Sequence, residues 1–183
     1  VNANAEISAH GVFLQNPKLA TKVSLPIVPV LIDQGVLKMK AALCTSLDGY
    51  QSLEIMDVDI PEPASGQVLI RVQASALNFA DSLIVKGKYQ VKPPLPFSPG
   101  LECAGIVEAI GAGVENCTIG QRVMAVLDWG GFAQYALAKA SDVYPIADNL
   151  DFTTAAAIPV AYGATQQGFF VKAGLKAGQT LVG

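Results

Sequence analysis

The sequence predicts a mainly β chain with a few short helices, arranged as a small barrel or sandwich. Two observations predict it. From Met39 onward, strand-like runs follow one another closely, and Gly- and Pro-rich turns separate them. The composition also provides a core: of 183 residues, 51% are hydrophobic and 15% charged. A mean hydropathy of +0.41 argues against disorder for the chain as a whole.

Residues 1–38 carry Asn, Ala and Gly ahead of an aliphatic run, Leu25 to Ile32, which Pro26 and Pro29 interrupt. That run is too short to cross a bilayer, and the segment is expected to be a poorly ordered extension. Leu53, Ile55, Val58 and Ile60 alternate with acidic residues, giving a strand with one slip at Met56 that is expected to be a bulge. Val68, Ile70, Val72 and Ala74 alternate with Leu69, Arg71, Gln73 and Ser75, giving a second strand with one wetter face. Further strands are expected at 102–110, 122–127 and 132–138.

A short helix is expected from Ala80 to Val85. It is entered after Asn78, carries Asp81 in its first turn and ends near Gly87. Asp151 is expected to cap a helix through Ala157 that Pro159 stops. A longer helix from Tyr162 to Lys172 should end at Gly174, and a buried strand should begin at Thr180. Phe169, Phe170 and Leu181 would then be exposed unless another domain covered them.

The net charge of −3, a pI near 5.0 and the scatter of the basic residues exclude a phosphate-tracking surface. Cys44, Cys103 and Cys117 are too widely spaced for a CxxC metal site and are expected to fill space on strands. His10 is the single histidine, so triads built on imidazole are nearly excluded. The turn Gly111-Ala112-Gly113 imitates a phosphate-binding loop but has Asn116 where a third Gly is needed. It is expected to be a tight barrel turn.

The run from Pro96 to Val107 reads Pro-Phe-Ser-Pro-Gly-Leu-Glu-Cys-Ala-Gly-Ile-Val. It resembles the Pro-x-x-x-Gly-His-Glu-x-x-Gly-x-Val signature of medium-chain alcohol dehydrogenases, with Leu101 at the zinc-binding His. The segment Ala76 to Asp81 is similar to the same family's Gly-Val-Cys-His-x-Asp, with Asn78 at the zinc-binding Cys. Gly111 to Val114, Ile119 to Val123, Gly130 to Tyr135, Ala155 to Pro159 and Tyr162 to Thr165 extend the likeness in the family's order. Gln121 departs from the family's usual Asp. The pattern resembles the zinc-free quinone oxidoreductase branch, which includes the zeta-crystallins.

The resemblance implies a GroES-like (chaperonin-10-like) barrel as the catalytic domain over residues 39–160. Residues 161–183 would form the connecting helix and first strand of a truncated Rossmann domain. It further implies NADPH as cofactor, a quinone or conjugated carbonyl as substrate, no metal, a cytoplasmic place and a homodimer when full length. An alternative is an enoyl or alkenal reductase, or a non-catalytic or inactive barrel module.

Two catalytic residues are expected, Asn78 and Tyr89. The Asn78 amide suits the nicotinamide or the substrate oxygen; capping a helix is its other reading. Tyr89 aligns with a pocket tyrosine, or packs as a loop aromatic beside Pro93 and Pro94. A second family tyrosine position is Leu83. Asn78, Phe79, Ala80, Ser82 and Thr165 are implied as cofactor-binding. Thr165 has the competing role of a helix threonine bonded to its own backbone. Asp81 is expected to be structural, Glu102 a buried hydrogen-bonding residue, and Trp129 part of the core, with the lining of a cleft as its other reading.

Overall fold

The computed structural model describes residues 36–180 throughout, preceded by the backbones of three short strands: β1 (Ala5–Ser8), β2 (Gly11–Leu14) and β3 (Ile32–Asp33). The expected extension over 1–38, with His10, otherwise lies outside the described residues. Then follow β4 (Val36–Cys44), β5 (Leu53–Asp59), β6 (Gln67–Ala76), α1 (Phe79–Ile84), β7 (Glu102–Ile110), β8 (Arg122–Val126), β9 (Tyr135–Lys139) and β10 (Val143–Pro145). Helices α2 (Phe152–Ala156) and α3 (Pro159–Gln166) come next, and a π-helical turn, Gln167–Lys172, continues α3. The chain is mainly β with short helices, as the sequence predicts.

Strand β6 is the spine of a seven-stranded sheet ordered β10-β8-β7-β6-β1-β2, with β9 also on β6; β3, β4 and β5 form a second, three-stranded sheet. All the pairs are antiparallel. Residues 132–134 join the two sheets: Ala42 N–H donates to Phe132 O at 2.9 Å and Gln134 N–H to Lys40 O at 3.0 Å. The Gln134 Oε1 also accepts from Lys40 N–H at 2.7 Å. These bonds explain why β9 begins at Tyr135 and not at 132 as expected; the three preceding residues bridge to β4 instead. Such bridging is how a sheet bends round toward a barrel without leaving unpaired edges.

The core follows the alternation in β6. Val68, Ile70 and Val72 pack with Cys103, Val107, Val123, Ala125, Ala136 and Ala138, all from strands of the larger sheet. The wetter face of β6 is narrower than the alternation suggests, because Leu69 and Ser75 are also buried. Ser75 Oγ donates to Gly131 O, which satisfies the hydroxyl in its dry site. The slip at Met56 is no bulge: β5 pairs with β4 without a register shift from Lys38↔Asp59 to Cys44↔Leu53. As an outer strand, β5 simply leaves Ile55 and Met56 facing solvent. The irregularities fall instead between Leu69 and Ile70 and between Val72 and Ala74, where β6 meets β7. Cys44 and Cys103 are buried on strands, whereas Cys117 is buried in the loop after β7.

The Gly111–Gly113 segment is a barrel turn between β7 and β8, with Gly111 N–H donating to Gln67 O at 2.8 Å. Arg122 organises the approach to α2: its guanidinium donates to the carbonyls of Ala147, Asp148 and Leu150 and lies 4.7 Å from the Phe152 ring centre. Asp151 caps α2, accepting from Thr154 N–H at 2.8 Å. Pro159 does not merely stop that helix. It takes the first position of α3, where a missing N–H costs nothing. The long helix therefore starts three residues earlier than expected, and Gly174 at φ 63° follows its end. Tyr162, Phe169, Phe170 and Val171 are exposed on this segment; Thr180 is in no strand, and the rest of the strand expected from it, with the exposure of Leu181, lies outside the described residues.

Gly105 permits the close approach of β7 to β6. A Cβ there would lie 2.2 Å from Arg71 O, a backbone atom that cannot swing away. Gly105→Ala is expected to destabilise the chain by about 3 kcal/mol in urea unfolding, as overpacked sites do. Gly120→Ala, where nothing lies within 4 Å and only φ 84° is unfavourable, should cost about 1 kcal/mol. Equal losses at the two positions would contradict this account of the strand contact.

Candidate functional site

The site forms where the end of β6, the start of α1 and the start of β7 converge. Asn78 stands two residues past the end of β6 and is the N-cap of α1, with extended backbone at φ −109° and ψ 156°. Asp81, in the first turn, reaches back: its Oδ2 accepts from the Asn78 N–H at 2.7 Å, while its Oδ1 accepts from the Gly100 N–H at 3.0 Å. One carboxylate thus fixes both the head of α1 and the turn that enters β7. Gly100 is required in that turn. It sits at φ 103°, and a Cβ would lie 2.7 Å from Gly131 Cα.

The turn delivers Leu101 and Glu102 in opposite directions, as successive residues of an extended chain must be. Leu101 packs with Cys44, Ile84, Val85 and Phe97, and Ala80, Tyr89, Leu53 and Val160 lie against the same cluster. Glu102 is 2% exposed. Its Oε1 accepts from Asn78 Nδ2 at 2.8 Å, and its Oε2 accepts from the Val160 N–H at 2.8 Å. The Asn78 amide is therefore oriented with its nitrogen on the carboxylate, and one N–H of that nitrogen has no role in this pair.

Of the residues implied by sequence, the structure packs Ala80 and Tyr89 against the Leu101 cluster and bonds Asn78 to Glu102, the residue after Leu101. Phe79 projects outward at 80% exposure. Ser82 Oγ donates to Phe79 O at 2.7 Å, and Thr165 Oγ1 donates to Ala161 O at 2.9 Å on exposed α3. Both hydroxyl protons are engaged with the backbone, so each oxygen faces a ligand only as an acceptor. Glu102 and Asp81 take the buried and structural roles expected of them.

Sequence reasoning missed the link from Glu102 to Val160, because nothing in a strand-initial Glu indicates a helix some sixty residues on. Trp129 takes the second of its two expected places. At 41% exposure it does not belong to the core but lines a cavity of about 500 Å³ with Met39, Phe97 and Tyr135, apart from Asn78. It follows Leu127 on the turn that leads to Gly130, so its backbone is too close to the surface for burial.

Burial pushes the Asp81 carboxyl up from 3.8 to about 6, against the lowering effect of the N–H groups of Asn78, Gly100 and Leu101. Burial raises Glu102 as well, with the Asp81 charge adding to it, against the donors Val160 and Asn78. Folded protein therefore holds these protons more tightly than unfolded protein, and the linked stability is lost as pH rises toward the folded values. Asp151 is lowered by the Thr154 N–H and hydroxyl, so its effect has the opposite sign and lies below the ordinary carboxylate range. The chain is expected to melt at a higher Tm at about pH 5 than at about pH 7, read by circular dichroism. A Tm that rises from about pH 5 to about pH 7 would contradict the buried-carboxylate reading.

Comparison with known proteins accords with this geometry. Residues 64–148 match the alcohol dehydrogenase GroES-like domain. The chain is 39% identical over 150 residues to the quinone oxidoreductase of Lama guanicoe, covering 81% of this chain and 46% of that protein. It is 34% identical over 145 residues to the human synaptic vesicle membrane protein VAT-1 homolog-like, covering 79% of this chain and 35% of that one. The crystal structure of that human protein superposes with a TM-score of 0.73 at 35% identity, over 77% of this chain and 46% of the other. A mycobacterial protein, Rv1454c, solved in complex with NADPH, superposes with a TM-score of 0.68 at 30% identity, over 76% and 43%. The chain thus spans less than half the length of these relatives. The GroES-like fold, the order of the motifs and these likenesses agree: residues 64–148 are an alcohol dehydrogenase GroES-like domain, and the chain is similar to the quinone oxidoreductases of the medium-chain dehydrogenase/reductase superfamily.

Proposed function

We propose that this chain supplies the catalytic half of an NADPH-dependent oxidoreductase that reduces a quinone or related conjugated carbonyl without a metal. The observation that carries the reading is that the two motif positions hold a fixed amide, Asn78, and a buried hydrocarbon, Leu101. Zinc needs thiolate, imidazole or carboxylate ligands, and an amide at one motif position with a leucine at the other is a poor donor set for it. Such a site provides hydrogen bonds rather than a Lewis acid. A simple ketone gaining hydride concentrates negative charge on one oxygen, whereas a quinone spreads it over a ring. Hydrogen-bond donors then suffice.

A reduced nicotinamide supplies the hydride when bound. The chain's own residues fit its ring end: the unused Asn78 N–H offers a donor, Ser82 and Thr165 offer acceptor oxygens, and Phe79 and Ala80 offer apolar surface. Tyr89, half-buried against the Leu101 cluster, would direct its hydroxyl at the substrate oxygen. The rest of the nucleotide requires a glycine-rich turn opening a helix. We assign residues 39–160 to the catalytic domain and 161–183 to the start of a Rossmann domain. That domain would cover Tyr162, Phe169 and Phe170. The whole protein we take to be a cytoplasmic homodimer. Among the described residues no helix is long and apolar enough to cross a membrane.

The whole protein is expected to oxidise NADPH with a simple quinone at a rate that a chelator leaves unchanged, followed by loss of nicotinamide absorbance. Asn78→Ala should lower kcat/KM about tenfold or more, the scale of one lost hydrogen bond at a desolvated site. Strong inhibition by the chelator would overturn the metal-free mechanism. Faster turnover of enals than of quinones would move the assignment to the alkenal reductases. The 183-residue chain alone is expected to bind no NADPH detectable by calorimetry; tight binding would favour a self-sufficient binding module.

A further inference from the structure

The buried Glu102 carboxylate bonds to two elements that, among the described residues, otherwise meet through the apolar Leu101 cluster. One oxygen accepts from the side-chain nitrogen of Asn78, at the head of α1; the other accepts from the backbone N–H of Val160, the second residue of α3. Both bonds are 2.8 Å long, the charge-assisted range. The Glu102 backbone cannot follow either partner, because β7 is held on both sides, by β6 and by β8. Helix α3 lacks a side-chain cap of its own at Ile158. Its first turn is anchored through Glu102, and Val160 also packs on the Leu101 cluster. We infer that Glu102 is a positioning residue, a two-armed clamp that makes the orientation of the Asn78 amide depend on the seating of α3.

The chemistry of the carboxylate supports this. An ionised carboxylate accepts at both oxygens and donates at neither, so it can satisfy two facing N–H groups at once. A neutral acid or an amide cannot, because one end becomes a donor and is opposed to another N–H. If α3 shifts, Glu102 must either follow it, releasing Asn78, or stay and leave a buried N–H unpaired; both outcomes are unfavourable in a dry site. The amide that faces the reactants is thus coupled to the helix that leads away from the barrel. The catalytic consequence rests on the function proposed above, but the clamp does not.

The titratable groups near Glu102 are Asp81 on α1, which faces the same Asn78, and the Cys103 thiol beside it, pushed up to about 12 by burial. The test must separate these carboxyls. In the 183-residue chain, nuclear magnetic resonance can follow the Glu102 and Asp81 carboxyl carbons together with the Asn78 side-chain NH₂ and the Val160 N–H. Between about pH 8 and pH 4, the Asn78 NH₂ and Val160 N–H are expected to shift with one shared midpoint, that of the Glu102 carboxyl carbon. Different midpoints for the two, or a shared midpoint with Asp81 alone, would overturn the clamp. In Glu102→Gln the shared shift should vanish, and one of the two groups should exchange its hydrogen roughly tenfold faster or more. Should that variant fail to fold, the wild-type titration still decides.

In the whole protein, Asn78→Ala and Glu102→Gln should each lower kcat about tenfold, and the double variant should be no slower than Asn78→Ala alone. Independent, multiplying losses would mean that Glu102 does not act through Asn78. A wild-type protein with no quinone activity would remove the proposed function and leave the clamp to be judged by the resonances.

Discussion

Two carboxylates out of water hold this site in shape. Asp81 and Glu102 are each 2% exposed, and each accepts two hydrogen bonds from different parts of the chain. Burying a carboxylate is unfavourable unless its oxygens are matched, and here all four are. The match explains the local chain path. Asp81 requires the Gly100 N–H, so the turn before β7 adopts a positive φ that only glycine takes readily. Glu102 requires Val160, so α3 must start beside the barrel rather than diverge from it. The surface ion pairs, Lys40–Asp57, Arg71–Glu108 and Lys139–Asp128 among them, are partly or well exposed and contribute far less to this arrangement.

The sheet supplies rigidity to this polar centre from behind. Gly105 lets β7 lie against the Arg71 carbonyl, and Gly131 lies close under Gly100 and Glu102. With no side chain at either place, the strand carrying Glu102 is wedged between β6, β8 and the 130–132 turn. Positional precision in a site comes from such supporting shells more than from the reacting residues themselves. The clamp on Asn78 is effective only because its base does not yield.

Much of this was legible in the sequence, and the parts that were not share a cause. Strands β6, β7 and β8 follow from period-two alternation, and α1 from Asn78, Asp81 and Gly87, because those signals are local. Asn78 and Glu102 stand out because they lie in motif segments with unusual substitutions. The start of β9 was misjudged because residues 132–134 pair with β4, a choice set by tertiary contacts ninety residues away in sequence. The bulge expected at Met56 failed because an exposed outer strand tolerates apolar residues without turning them inward. The partnership of Glu102 and Val160 was invisible for the same reason: one partner is a backbone N–H, and every residue but proline has one.

The same limits bear on how the site selects its chemistry. A metal centre polarises any carbonyl that reaches it, so its specificity must come from elsewhere. An amide held by a carboxylate is a weaker and more directional device: it rewards an acceptor oxygen at one place and does little for the charge that hydride transfer creates. Leu101, lying where a ligand could have been, adds no polarity. Under the proposed function, a substrate that succeeds here would carry its own means of dispersing charge. Conjugation is the means available to small organic carbonyls. The preference for quinones or enones over simple ketones would then arise not from a pocket shaped to exclude ketones, but from a site too mild to reduce them.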